Sequence, residues 1–378
     1  FLEFNNIIAR FSLNWLTASK IVGGGKMEKI NILILGLGGN VSQGILKAVK
    51  MANLNCKIFG ACVNSSSVGL YFCDTAYISP YAHSKDFMPW LIELCNKEHI
   101  DVVLTGVEEI ILKIAKNLEE FHNKTDALFI CSEYEKLLIG QNKYKTCVWL
   151  KENKLNFPKF ALAKNRKSVE QLVYEVGFPL IGKPVKGKGS VGVIQIHTKV
   201  ELERILEQKE YIIQEYLGNE DSEYTIGCYR NKSGKILNPI IMRRKLKYGT
   251  TFEAEIIENQ SIKDEAIKIC EKFEPIGPLN IQMRLDKNNK PTCFELNVRF
   301  SGTTPIRAYF GFNDVAALIK EYVLKEEMNE DFYVRKGIAF RYMNEIYLEK
   351  DLPKKLEAEG SLKNIRDYQI SVDKTGGC

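Results

Sequence analysis

Histidine is scarce in this chain. His83, His99, His122 and His197 are scattered over 378 residues, and no two have the spacing of a zinc site. The ten cysteines (56, 62, 73, 95, 131, 147, 228, 270, 293 and 378) include no CxxC pair, and most lie in apolar runs such as residues 57–63 and 127–131. That pattern predicts buried free thiols in a reducing, cytoplasmic setting rather than a disulfide framework. Long apolar runs are also lacking. None approaches the roughly 20 residues of a membrane span, so no membrane partner is expected. Nor is there a dominant charge: 53 Lys and Arg against 47 Asp and Glu leave a net +6. The short basic stretches 183–188 and 243–247 sit among glycines or strand residues, which suits a small phosphate ligand and not a nucleic-acid surface.

What is present is globular composition, 45% hydrophobic and 26% charged, over a length that calls for more than one domain. The first methionine is Met27, and a strand follows it directly. Residues 1–26 therefore read as a leader or non-native extension, disordered and outside the fold; a clean secretory succession is missing. From residue 29, apolar runs at 29–35, 56–63 and 102–105 alternate with helical spacing at 41–52, 87–97 and 108–120. This is β-α-β-α order, and it predicts a parallel sheet over residues 27–130. A helical stretch at 133–153 leads on. Beyond residue 161 strands dominate (179–183, 191–196, 211–216, 223–229, 235–242, 252–257, 280–285, 292–298), with helices at 199–206 and 262–273. Close turns between them indicate antiparallel pairing over a second, α+β domain, residues 131–350. The charged segment 351–378 reads as a loosely packed C-terminal tail.

Three segments carry chemistry. The turn GLGGNVSQG (36–44) ends a strand and opens a helix, a geometry that can hold a phosphate. An NAD(P) oxidoreductase is the alternative it raises. Two features oppose that reading: the third glycine of G-x-G-x-x-G falls at Val41, and the ribose-binding acid after the second strand is replaced by Val63-Asn64-Ser65-Ser66. A tight strand–helix turn accounts for the glycines equally well. Next, PLIGKPVKGKGSVGV (179–193) runs a strand into Lys183 and then into a glycine-rich loop whose backbone N–H groups can approach phosphate oxygens. On this segment alone a flexible hairpin with solvated lysines is an equal alternative. Last, Asn280-Ile281-Gln282 and Cys293–Arg299 form neighbouring strands across the turn 286–290. Alternation puts Glu295, Asn297 and Arg299 on one face beside Gln282. An oxygen-rich cluster of this kind suits Mg2+, and Arg299 can neutralise a phosphoryl group in transit.

Together these segments resemble the ATP-grasp superfamily, with a texture similar to the large subunit of carbamoyl-phosphate synthase and its single-unit relatives, over about residues 29–345. The match is strongest at FELNVRFSG (294–302) with NIQ (280–282). The resemblance implies an α/β N-terminal parallel-sheet domain followed by an α+β ATP-grasp domain whose two subdomains clasp ATP. It implies metal ligands Gln282, Glu295 and Asn297. ATP contacts would come from Lys143, Lys183, the lid residues Lys188, Gly189 and Ser190, the hinge residues Glu215, Tyr216 and Leu217, and Glu223 at the ribose. Asn142-Lys143 stands where the family has an acid before the basic residue. Arg299, Arg244 and Lys183 are the catalytic candidates; Arg307 is either a further substrate contact or a surface charge at a helix start. Substrate-choosing loops are expected near 38–43, 107–109 and 248–251. The implied activity is a stand-alone carboxylate-amine ligase that uses ATP and Mg2+ (Mn2+ substituting), makes an acyl phosphate and takes small-molecule substrates; a homodimer is the default expectation for its assembly. A non-catalytic ATP-binding regulatory module is the remaining alternative.

Overall fold

A computed structural model describes residues 29–372 apart from 188, 209, 219–221 and 369. Residues 1–26, Lys188 of the lid and Cys378 therefore lie outside the described residues.

The first domain begins with β1 (Ile30–Leu35), α1 (Asn40–Met51), β2 (Cys56–Cys62) and β3 (Thr75–Ile78), followed by α2 (Phe87–Lys97), β4 (Val102–Thr105), α3 (Glu108–Lys116) and α4 (Leu118–Lys124). The strands pair in parallel in the order β3-β2-β1-β4. Ile32, Leu33 and Ile34 of β1 are fully buried, as expected where helices cover both faces of a parallel sheet. The single helix expected at 108–120 is two. Asn117 ends the first by donating its side-chain amide to the Lys113 carbonyl (2.7 Å).

The stretch 133–153 is likewise broken, into α5 (Tyr134–Gln141) and α6 (Lys143–Glu152). The break falls at Asn142, whose Oδ1 accepts from the Lys145 N–H (3.0 Å) and so caps α6. A small lobe follows: β5 (Phe160–Leu162), α7 (Arg166–Val176), β6 (Leu180–Pro184), β7 (Ile194–Ile196), α8 (Lys199–Leu206) and β8 (Tyr211–Glu215). Its antiparallel order is β5-β8-β6-β7. β5 and α7 had no counterpart in the sequence reading. The signal for α7 was short: the Asn165 cap and the buried pair Val169 and Leu172.

The large lobe holds β9 (Glu223–Arg230), β10 (Ile236–Lys247), β11 (Thr250–Ile257), α9 (Gln260–Phe273), β12 (Gly277–Leu285), β13 (Pro291–Asn297), α10 (Thr304–Tyr309), α11 (Asp314–Tyr322) and β14 (Gly337–Phe340). All six strands are antiparallel, ordered β13-β12-β9-β10-β11-β14. The apolar side of α9 (Ile262, Ala266, Ile269, Phe273) covers one face with Tyr224, Ile226 and Met283. The other face carries the polar residues of the site.

The C-terminal segment corrects the sequence reading. After β15 (Ile346–Leu348), residues 351–372 form α12 (Leu352–Glu359), β16 (Ser361–Lys363) and β17 (Ile370–Val372) rather than a loose tail. β16 joins the first sheet antiparallel to β3, and Leu352, Leu356, Leu362 and Ile365 are buried. Their apolar spacing was masked by the lysines and glutamates between them. Among the described residues no helix is long and apolar enough to cross a membrane, and none of the nine cysteines is bonded to another.

Candidate active site

One cleft of about 510 Å³ is lined by both lobes and by the first domain. Its floor is the polar face of the large sheet. Register sets Gln282 directly opposite Glu295 and Asn280 opposite Asn297, while Gln282 also faces Thr225 of β9. Alternation then brings Asn280, Gln282 and Arg284 of β12 onto the same side as Glu295 and Asn297.

These residues form one continuous chain of bonds. Arg284 Nη1 donates to the Leu217 carbonyl (3.2 Å), and its Nε and Nη2 donate to Glu223 Oε2 (3.1 and 2.7 Å). Arg244 donates through Nε and Nη2 to Glu223 Oε1 (3.0 and 2.7 Å), and its Nη2 also reaches Gln282 Oε1 (2.8 Å). Gln282 Nε2 and Asn297 Nδ2 both donate to Glu295 Oε1 (3.1 and 2.9 Å). A single run thus links Leu217, just after β8, to Glu295. Burial alone would raise the Glu223 carboxyl, but the Arg244 and Arg284 guanidiniums outweigh it and hold the group below the usual carboxylate range.

Two lysines face this floor. Lys183, at the end of β6, has its Nζ 4.6 Å from the Phe294 ring centre. Burial lowers its pKa to about 8, with Glu295 pulling the other way. Buried Lys143 starts α6 and donates Nζ to the Gly187 carbonyl (2.9 Å), tying down the root of the glycine-rich loop. Gly189 (φ +65°) and Ser190 (φ +58°) turn that loop back over the cleft. Glu215 accepts the Lys159 N–H at 3.1 Å, and burial raises its carboxyl. Tyr216 lies beneath the Arg284 guanidinium, 5.6 Å from ring centre to Cζ.

At the far end the first domain closes the cleft. The three loops expected to choose substrate meet there: Gly39–Ser42, Val107-Glu108 and Tyr248–Thr251. Asn40 Nδ2 donates to Thr250 Oγ1 (2.8 Å), and Arg299 lies 3.7 Å from Glu108. The glycine turn is explained by packing. A Cβ on Gly36 (φ +73°) would strike Val107 at 2.3 Å, and one on Gly38 would lie 2.9 Å from Ser67 Oγ.

Of the residues singled out from sequence, Lys143, Lys183, Gly189, Ser190, Glu215, Tyr216, Leu217, Glu223, Arg244, Gln282, Glu295, Asn297 and Arg299 all line this cleft. Arg243, as alternation requires, points away and pairs with Glu255. Arg307 differs on both counts. It is fully buried and paired with Asp314 (Nη2 to Oδ2, 2.6 Å), so it is neither a surface charge nor open to a substrate. Arg284, Asn280 and Thr225 were missed. Arg284 and Asn280 stand two residues either side of Gln282, so alternation alone would have placed them.

The donor set of Glu295, Gln282 and Asn297, one carboxylate and two amides, fits a hard divalent ion that takes its other ligands from phosphate and water. Among the described residues no group of three His, Cys, Asp or Glu could hold a metal alone.

Fold and site define an ATP-grasp domain behind a parallel-sheet domain. Residues 140–229 match the RimK-like ATP-grasp domain, 207–346 the ATP-grasp in the biosynthetic pathway with Ter operon, and 32–128 the PylC-like N-terminal domain. The carbamoyl phosphate synthase large chain of Helicobacter pylori is 23% identical over 349 residues, 83% of this chain; the chain spans 31% of that relative's length. The fold is similar to N5-carboxyaminoimidazole synthetase from Staphylococcus aureus complexed with ADP (TM-score 0.66, 17% identity, 89% of this chain and 87% of that one). It is similar also to the biotin carboxylase domain dimer of Hydrogenobacter thermophilus 2-oxoglutarate carboxylase with MgADP and bicarbonate (0.66, 13%, 88% and 77%). The oxidoreductase alternative finds no counterpart among these matches.

Proposed function

We propose that this chain is an ATP-dependent carboxylate-amine ligase working through an acyl phosphate. The observation that carries the reading is the convergence of Glu295, Gln282, Asn297, Lys183 and Lys143 on one cleft that also opens to the loops of the first domain. A carboxylate oxygen attacks the γ-phosphorus of ATP, and the bond from that phosphorus to the bridging oxygen breaks to release ADP. An amine nitrogen then attacks the acyl carbon; the carbon–oxygen bond to phosphate breaks and the nitrogen gives up its proton. Lys183 and Lys143 hold phosphates, and Gly189 and Ser190 cover them. Glu215, Tyr216 and Leu217 line the base end. Glu223 holds the two arginines there and so borders the ribose without being free for it. Arg244 and Arg299 meet the charge that develops on transfer. Glu295, Asn297 and Gln282 would hold Mg2+, or Mn2+ in its place, which when bound neutralises phosphate charge. Positioning and charge are sufficient, and no covalent enzyme intermediate is needed. A homodimer in a cytoplasmic setting completes the reading.

The test is ADP release from Mg-ATP by the full chain across pools of carboxylic acids and amines, beside Glu295→Ala. Pool-dependent release that the substitution abolishes supports the ligase. Tight nucleotide binding with no turnover in any pool favours the regulatory module instead.

A further inference from the structure

Among the described residues, one buried side-chain polar atom has no hydrogen-bond partner: Nδ2 of Asn280. Asn280 is 1% exposed and lines the cleft. A buried amide N–H without an acceptor is costly, and native structures keep few of them. The orientation of this amide is set by its surroundings. Thr225 Oγ1 donates to Asn280 Oδ1 at 3.0 Å, and Arg307 Nη1 approaches the same oxygen at 3.4 Å. The Arg307 guanidinium can only donate, so the amide oxygen faces it, the Thr225 hydroxyl turns its O–H to the same oxygen, and the N–H2 faces away. Arg307 is itself immobilised. It is fully buried, bonded twice to Asp314 (3.2 and 2.6 Å), and held by Thr304 Oγ1 (3.1 Å) and Ser301 Oγ (3.3 Å).

The position of Asn280 along β12 gives the unused N–H its ligand. Arg284 lies at the hinge end, and Gln282, two residues on, touches Glu295. Asn280 is a further two residues away from the hinge and opposite Asn297. That is past the phosphate-facing donors and before the first-domain loop Gly39–Ser42, where Ser301–Thr303 also line the cleft. We infer that the Asn280 amide donates to an anionic oxygen of the phosphoryl group in transit, and that Arg307 with Asp314 serves as a positioning pair that aims it. The inference rests on the ligase reading above and adds a catalytic residue to it.

The experiment uses the full chain and measures affinity for MgADP with and without aluminium fluoride, a mimic of the phosphoryl group in transit. Asn280→Asp keeps the shape and the oxygen that Thr225 and Arg307 bond, removes the N–H and adds a negative charge, so Asn280→Ala, which removes the N–H without adding charge, is measured beside it and only a loss shared by the two counts. Each is expected to leave MgADP affinity within about twofold and to cut the fluoride-dependent gain about ten- to a hundredfold, as loss of one charge-assisted hydrogen bond predicts. Thr225→Val, which only loosens Oδ1, is expected to lower the same gain by less and gives the reading if the aspartate variant does not fold. A purely structural Asn280 would shift the melting temperature and leave the gain unchanged. Retention of the gain in either Asn280 variant, or a wild-type chain that binds MgADP with no gain from fluoride, overturns the assignment. A wild-type chain that binds no MgADP fails the ATP reading itself, and is distinguishable on that account.

Discussion

Glu223 holds two guanidiniums with four donated bonds, and its side chain is only 9% exposed. Removing one side of such a cluster leaves buried charge without a counter-charge, at a cost of about 3–5 kcal/mol. Glu223→Ala is therefore expected to lose stability of that order in urea denaturation. It should also weaken MgADP binding, because Arg284 and Arg244 would no longer be fixed. Lys183 makes a prediction in pH. Phosphate wants the ammonium form, and burial lowers this pKa to about 8. MgADP affinity should then fall as pH rises above about 8, with the midpoint displaced upward by the bound phosphates, and Lys183→Met should flatten the profile. Stability of the free protein runs the other way. The unfolded chain binds more protons than the folded one between about 8 and the ordinary lysine value of 10.5, so the contribution of Lys183 to stability improves across that window and carries its full penalty below it. Calorimetric titration of nucleotide and thermal melts over the same pH series separate the two.

The elements that position the site were legible where a pattern repeats over several residues. β1 and β12–β13 show this, with unbroken apolar runs or strict alternation around Glu295 and Asn297. Short elements were not. β5 has three residues, α7 opens on a cap and shows one apolar stripe, and α12 hides two buried leucines among charges. Side-chain choices among neighbours were also beyond alternation: it brings Arg244 to the cleft but cannot reveal that Glu223 already occupies it. The glycine-rich loop offers an element-scale test. Its Gly189 carbonyl abuts the β10–β11 turn, where a Cβ on Gly249 (φ +67°) would lie 1.9 Å from that oxygen. Neither backbone can give way without moving the loop. Gly249→Ala should prop the loop open, weaken MgADP binding by about 1–3 kcal/mol as overpacked contacts do, and speed tryptic cleavage after exposed Lys186. Unchanged cleavage in the presence and absence of MgADP would show that loop and turn move independently.

At the scale of the molecule, the first domain is held by chain from the far end of the sequence. Asn313 Nδ2 donates to the Ala48 carbonyl (2.9 Å), and a Cβ on Gly44 of α1 would lie 2.8 Å from Pro305, so α1 rests directly on α10. β16 extends the first sheet beyond β3, Ser65 bonds Glu357, and Arg366 pairs with Asp74 at 2.7 Å. The loops of the first domain that border the cleft are thus fixed against β12 and β13 by α10 and α11, and the β3 edge of its sheet is covered by β16. Leu356 is fully buried and Leu362 nearly so. Truncating Leu356 to alanine should cost about 2–5 kcal/mol, the range for a buried leucine. Its effect should be local: faster hydrogen exchange in β3 and β2, with β12 and β13 protected as before. If MgADP affinity is unchanged while the acceptor-dependent rate falls, the C-terminal segment acts on the acceptor end through the first sheet. If β12 and β13 lose protection together with β3, the two domains unfold as one cooperative unit, and the C-terminal strand stabilises the whole chain.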